Sequence, residues 1–248
     1  MGRKPISRMF AGLALAALMA LGLAGPAIAQ ESSPESGSSF PVTITFVNGL
    51  TSLDSVDVYI NGDEEGERVI EGLEYGTTSE AFEGTAPGTV IVVKQNVNWG
   101  VDRYLFNTLI STGAGKNYVV VISDFMILPV EFDLSPTVDE GARTIGIHAS
   151  SQAPAVDVYV TPSGQEFSIG DVVPLITDLA YGRVTTGGAA LPGTYDLRLT
   201  QTGTDTVALE QPGITIEAGN SYVFVFIGKP GSTEQPLTAV SVSQSTES

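Results

Sequence analysis

Apolar and polar residues alternate along much of this chain with a period of two. In Val156-Asp157-Val158-Tyr159-Val160 the valines fall on one face and Asp157 and Tyr159 on the other, the pattern of a strand with one buried side. Val56-Asp57-Val58-Tyr59-Ile60 makes the same division earlier in the chain. Around that first copy, runs rich in Val, Ile and aromatics predict strands at 41–47, 68–73, 89–95, 104–110, 117–123 and 127–132, each bounded by Gly, Pro or Asn. Asn61-Gly62, between the runs at 56–60 and 68–73, is a two-residue hairpin signal, and the acidic stretch Asp63-Glu64-Glu65-Gly66-Glu67 projects there as a solvated tip. Beyond residue 29 no segment carries a 3.6-residue apolar period, so no helix is predicted.

The pattern occurs twice. Ile70 to Gly76 (IEGLEYG) is answered by Ile176 to Gly182 (ITDLAYG), Pro87-Gly88-Thr89 by Pro192-Gly193-Thr194, and Ala114 to Tyr118 (AGKNY) by Ala218 to Tyr222 (AGNSY). With the V-D-V-Y runs these are four anchors in one order, and their spacing changes only by loop lengths, which marks an internal duplication. About seven short strands per copy predict an all-β chain of two tandem Ig-like antiparallel β-sandwich domains rather than one large barrel. The expected divisions are a signal peptide at 1–29, a flexible leader at 30–39, sandwich repeats at 40–140 and 141–243, and a polar tail at 244–248, with a linker over 133–143. Tyr118 and Tyr222, each three residues after a Gly at the start of a valine-rich strand, are expected to be corner tyrosines whose hydroxyls satisfy nearby backbone.

Composition adds an address and removes several chemistries. Arg3, Lys4 and Arg8, the apolar run Met9–Ala24 and Ala27-Ile28-Ala29 form a secretory signal, with cleavage expected after Ala29 and export to the envelope or beyond. The chain has no cysteine, which excludes disulfides, zinc–thiolate sites, a cysteine nucleophile and lipid attachment at a new N-terminal cysteine. Each domain must therefore be held by its own core. No second apolar span follows the signal, so the mature chain is expected to have no membrane span. Three of the 11 basic residues lie in the signal, which leaves 8 against 28 acidic ones, a net charge of −20. A surface this acidic, without clustered Lys or Arg, argues against nucleic acid as a partner. A cell-envelope protein or a glycan remains open as a partner.

Candidate chemistry is sparse. His148 is the single histidine and precedes the V-D-V-Y strand near Ser150 and Ser151, but no G-x-S-x-G motif accompanies it. A loop histidine bonded to backbone is the expectation, and a hydrolase the alternative. Asp57 and Asp157 stand inside strands, which normally avoid Asp. They are expected to accept hydrogen bonds from the following loop and pin the strand end; a metal role would need ligands such as Asp54 or Asp178. Trp99, the lone tryptophan, sits in a polar Asn- and Gly-containing stretch with Tyr104 and Phe106 nearby. It is read as a cap on the core, with stacking on a sugar ring as the alternative. No cofactor is expected.

The run His148-Ala149-Ser150-Ser151-Gln152-Ala153-Pro154-Ala155-Val156-Asp157-Val158-Tyr159-Val160 resembles the bacterial secreted family called domain of unknown function 4397, whose hallmark is H-A-S-P-x-A-P-x-V-D-V-Y-V. Leu179-Ala180-Tyr181-Gly182, Leu191 to Tyr195 and Ala218 to Tyr222 fit it too, while Ser151 stands where the family often has Pro. The first copy keeps V-D-V-Y, L-E-Y-G and A-G through Tyr118 but lacks the His-Ala-Ser start. The resemblance implies export and tandem β-rich domains. It implies no activity and no site.

Overall fold

The computed structural model describes residues 40–60, 67–86, 88–95, 103–135, 141–185 and 188–245, with backbone alone at 40, 85, 90, 92, 103 and 104. The expected signal and leader, most of the acidic tip and Trp99 lie outside the described residues. The first copy contributes β1 (Phe40–Asn48), β2 (Ser55–Ile60), β3 (Glu67–Glu74), β4 (Phe82–Ala86), β5 (Gly88–Gln95), β6 (Arg103–Ser111), β7 (Asn117–Ile122) and β8 (Ile127–Phe132). The second contributes β9 (Ala142–His148), β10 (Val156–Pro162), β11 (Ile176–Leu179), β12 (Gly188–Ala190), β13 (Gly193–Gln201), β14 (Val207–Ile216), β15 (Asn220–Ile227) and β16 (Thr238–Ser245). Among the described residues every element is a strand, and no helix is long and apolar enough to cross a membrane.

These strands form four four-stranded sheets, two per copy, in the orders β3-β2-β5-β6 and β4-β1-β7-β8, then β12-β9-β15-β16 and β11-β10-β13-β14. Pairing between these strands is antiparallel except that the first strand of each copy lies parallel to a late one, β1 beside β7 and β9 beside β15. The two arms of the expected hairpin pair as β2 and β3, Ile60 opposite Glu67, while the Asn61-Gly62 signal lies outside the described residues. Three details differ from the sequence reading. Ala142 and Arg143 already belong to β9 rather than to a linker, Gln244 and Ser245 extend β16 rather than a tail, and His148 ends β9 instead of lying in a loop. Each segment has a ladder partner that a local sequence pattern does not reveal.

Period-two alternation places the cores. Val42, Ile44 and Phe46 of β1 and Val120 and Ile122 of β7 face Val56, Val58, Ile91 and Val93 of the other sheet in the first core. Val156, Val158, Leu197 and Leu199 face Phe226 and Ala239 in the second. A third core joins the copies: Val47, Val119, Val121 and Val130 pack against Ile147, Val223, Val225, Ile227 and Val242. The described strands therefore form four stacked sheets with apolar layers between them. Strands β7 and β15 lie in the two inner sheets and are covered on both faces, which is why they read Tyr-Val-Val-Val-Ile and Tyr-Val-Phe-Val-Phe-Ile instead of alternating. Each fully buried valine or isoleucine contributes roughly 1.5–3 kcal/mol.

Both corner tyrosines form as expected. The Gly113 N–H donates to the Tyr118 hydroxyl at 2.8 Å, and the Glu217 N–H to the Tyr222 hydroxyl at 2.9 Å, each five residues upstream.

Candidate functional site

Asp57 and Asp157 solve the same local problem in both copies. Val56 pairs with Leu73 and Val58 with Ile70, so Glu71 and Gly72 together oppose Asp57 in a β-bulge; Thr177 and Asp178 oppose Asp157 in the same way. The second bulge residue takes a left-handed conformation, φ 66° at Gly72 and 56° at Asp178. Its N–H has left the ladder, and the carboxylate captures it: Gly72 N to Asp57 Oδ1 is 2.7 Å and Asp178 N to Asp157 Oδ1 2.8 Å. Thr202 donates a further bond to Asp157 Oδ1, and Arg68 lies 3.7 Å from Asp57 Oδ2. The two bulge N–H donors sit on the neighbouring strand, and Thr202 in the turn after β13, rather than on the following loop as the sequence suggested. Among the described residues no three His, Cys, Asp or Glu side chains gather as a metal site.

His148 is fully buried. Its Nε2 lies 3.0 Å from the Pro154 carbonyl, which can only accept, so Nε2 carries the proton and donates. Nδ1 is buried without a partner, and Tyr181 meets the ring edge-on at 6.5 Å. Burial pushes the His148 pKa below its ordinary value of 6.5, against the backbone bond to Pro154, so the ring is neutral. Neither neighbouring serine is directed at it. Ser150 Oγ donates to the Gly228 carbonyl and accepts the Ala153 N–H, while Ser151 Oγ donates to Asp124. A histidine wired this way holds the β9 end against the following loop, as Asn48 does at the end of β1 by donating to the Leu73 carbonyl and accepting from the Leu50 N–H.

Asp124 is the hub of a polar cluster at the rim of the shared core. It accepts from the Thr51 backbone and hydroxyl and from Ser151, so it ties loops of both copies together. The tyrosines of the two L-x-Y-G turns reach across this seam in opposite directions. Tyr181 hydrogen-bonds Ser123 at 2.9 Å, and Tyr75 lies against Gly228, where an added methyl would stand 2.7 Å from its hydroxyl. Burial and then the Asp124 charge push the Tyr75 pKa up to about 12.

The outer face of the second copy carries a cluster that the site search in the sequence missed. Arg198 is nearly buried there, bonded to Glu210 at 2.7 Å and to the Thr161 hydroxyl at 3.1 Å, with Asp196 at 3.6 Å and the Phe167 ring 4.7 Å away. Tyr159 meets Phe167 edge-on. The Asp196 carboxyl is held below the usual range by the Ser163 hydroxyl, the Gly213 and Gly164 N–H groups and Arg198. The signal was legible in Tyr195-Asp196-Leu197-Arg198-Leu199-Thr200, where charges alternate with core leucines. In the first copy Lys94 sits 4.3 Å above the Tyr59 ring instead. Of Tyr104 only the backbone is described, on β6 opposite Lys94. Asp57, Asp157 and His148 thus bond three different segments, β3, β11 and the loop at Pro154.

The sequence matches one protein-family model twice, over residues 42–159 and 146–247, under the description "Domain of unknown function (DUF4397)". The chain belongs to the DUF4397 family. Both copies of this DUF4397 chain carry the bulge aspartate and the corner tyrosine. No curated protein matches it in sequence. Among solved structures it is similar to a CBM26-family module of Eubacterium rectale Amy13K, determined in complex with maltoheptaose, at 12% identity and TM-score 0.27, covering 84% of this chain and 98% of that one. A candidate cell adhesion protein of Bacteroides uniformis is similar at 11% identity and TM-score 0.28, covering 85% and 98%. The Bacillus anthracis TIE protein is similar at 10% identity and TM-score 0.24, covering 77% of this chain and 34% of that one. TM-scores this far below one half do not align the DUF4397 chain with any of these proteins in function.

Proposed function

We propose that the protein is an exported, non-catalytic pair of β-sandwich modules with a structural, adhesive or binding role in the cell envelope or outside the cell. One observation carries this reading: Asp57, Asp157, His148 and Ser150, which the sequence singles out, all bond backbone groups. Asp57 and Asp157 cap bulges, His148 holds Pro154, and Ser150 holds Gly228. A general base needs access to a reacting group and a nucleophile within reach; His148 is fully buried, and Ser150 and Ser151 beside it bond other groups. What the molecule offers a partner is an acidic surface on four stacked sheets. The partner in this reading is an envelope protein or a glycan.

The test is fractionation of cells producing the full chain, followed by sedimentation of the exported form with purified envelopes. Recovery outside the cytoplasm and saturable co-sedimentation are expected. Cytoplasmic retention, or ester or peptide hydrolysis that disappears in His148→Ala, would overturn the reading. Glycan binding lost in Trp99→Ala would narrow it to sugar recognition.

A further inference from the structure

The two copies fill the space between their sheets differently. In the parallel ladders Ile44 stands beside Tyr118 and Thr144 beside Tyr222, so Thr144 occupies the place of Ile44 and Gly146 that of Phe46. On the edge strands Phe82 pairs with Ile44 and Gly188 with Thr144, so Gly188 occupies the place of Phe82. In the first copy the Phe46 and Phe82 rings lie 6.4 Å apart and close the sandwich beside its edge. In the second copy both rings are replaced by glycine.

The result is an open cleft of about 730 Å³ between the sheets of the second copy, within the size range of small-molecule sites. Phe224 and Phe226 of β15 line it, so aromatic bulk is present as a floor while the wall is missing. Four of the eight large apolar side chains exposed among the described residues stand on this cleft: Val160, Leu175, Val184 and Leu191. Val160 was expected in the core with Val156 and Val158, and the open edge is why it is 38% exposed. Apolar surface left in water around a concave site marks a place where something binds. Asp178 is the one charged residue among those lining it, and no Lys or Arg does so.

We propose that this cleft binds a small apolar molecule that carries aromatic rings and no negative charge. The first copy shows which chemistry suits the space, because it places two rings there from its own strands. The charge restriction comes from Asp178, which disfavours an anion that no cation in the lining would offset. The proposal is independent of the envelope role, since occupancy of the cleft is read on the purified chain alone.

The experiment titrates the purified chain with N-phenyl-1-naphthylamine, which is neutral, and with 8-anilinonaphthalene-1-sulfonate, which has the same rings and a sulfonate. The neutral dye is expected to bind saturably, one per chain, and roughly tenfold or more tighter than the anionic one. Gly188→Phe restores the missing ring, and its first side-chain carbon meets only the Thr144 hydroxyl oxygen at 3.5 Å. It is expected to weaken the neutral dye roughly tenfold or more while raising the melting temperature. Thr144→Ile, the residue of the first copy, is expected to act in the same direction and decides the question if Gly188→Phe does not fold. Absence of saturable binding by the wild type, equal affinity for the two dyes, or unchanged neutral-dye binding in the folded variants would overturn the proposal.

Discussion

His148 and Asn48 occupy the same strand end and hold a following loop with different chemistry. The first copy uses an amide, which does not titrate, and the second an imidazole with one nitrogen bonded and the other sealed without a partner. A second proton has nowhere favourable to go, and burial lowers the folded pKa below 6.5. Below that pH the unfolded chain takes up the proton first, so the stabilisation is complete above about 6.5 and is lost as pH falls toward the depressed folded value. Denaturant melts at pH 7.5 and 5.5 should show the wild type less stable at the lower pH, by no more than about 1.4 kcal/mol per pH unit from this one group. Asp133 and Asp196, with lowered carboxyl pKa values, lose their contribution only in more acidic solution. In His148→Asn the difference between the two pH values should shrink; an unchanged slope would remove His148 as its source. That His148 bonds backbone was readable from its single occurrence in a Ser- and Ala-rich stretch, but its carbonyl partner was not, because the partner depends on how the loop folds back.

At the scale of the element, the informative unit is the V-D-V-Y strand together with the bulge it faces. Asp157→Ala should leave the Asp178 N–H and the Thr202 hydroxyl without their acceptor and cost about 1–3 kcal/mol in chemical denaturation. Asp178→Gly should do the opposite and stabilise by up to about 1 kcal/mol, since the first copy already places Gly72 at this left-handed position. A loss in Asp178→Gly would mean the aspartate side chain contributes something its exposed position does not reveal. Strands β1, β2, β3 and β5 to β8 were legible almost to the residue. Strand β4 was not, because Phe-Glu-Gly-Thr-Ala is short, carries a Gly and draws its pairing from β1. The unbroken apolar runs of β7 and β15 held one further signal: an antiparallel sandwich with a wet outer face would alternate there, so those runs already demanded a second covered face.

For the whole molecule, that second cover is the other copy. The sequence reading gave each domain its own core and a linker between them; the structure adds a core that neither copy could complete alone. Heating should therefore produce one cooperative transition, with calorimetric and van 't Hoff enthalpies in agreement, and two separated transitions would show that the shared layer does not couple the copies. Val225→Asp places an unpaired charge in that layer and should cost about 3–5 kcal/mol, a loss far larger than the same change at exposed Val207. The faces that meet are equivalent positions of the repeat, Val119 with Val121 from one copy and Val223 with Val225 from the other, as in the self-complementary contact of a twofold dimer. Two separate chains joined through such a face would part on dilution, because the population of a dimer follows protomer concentration. Here each copy carries its partner on the same chain, at an effective concentration fixed by the connection between them. A single molecule released into a large volume keeps both halves, and with them the full four-sheet shape, however far it drifts from the next.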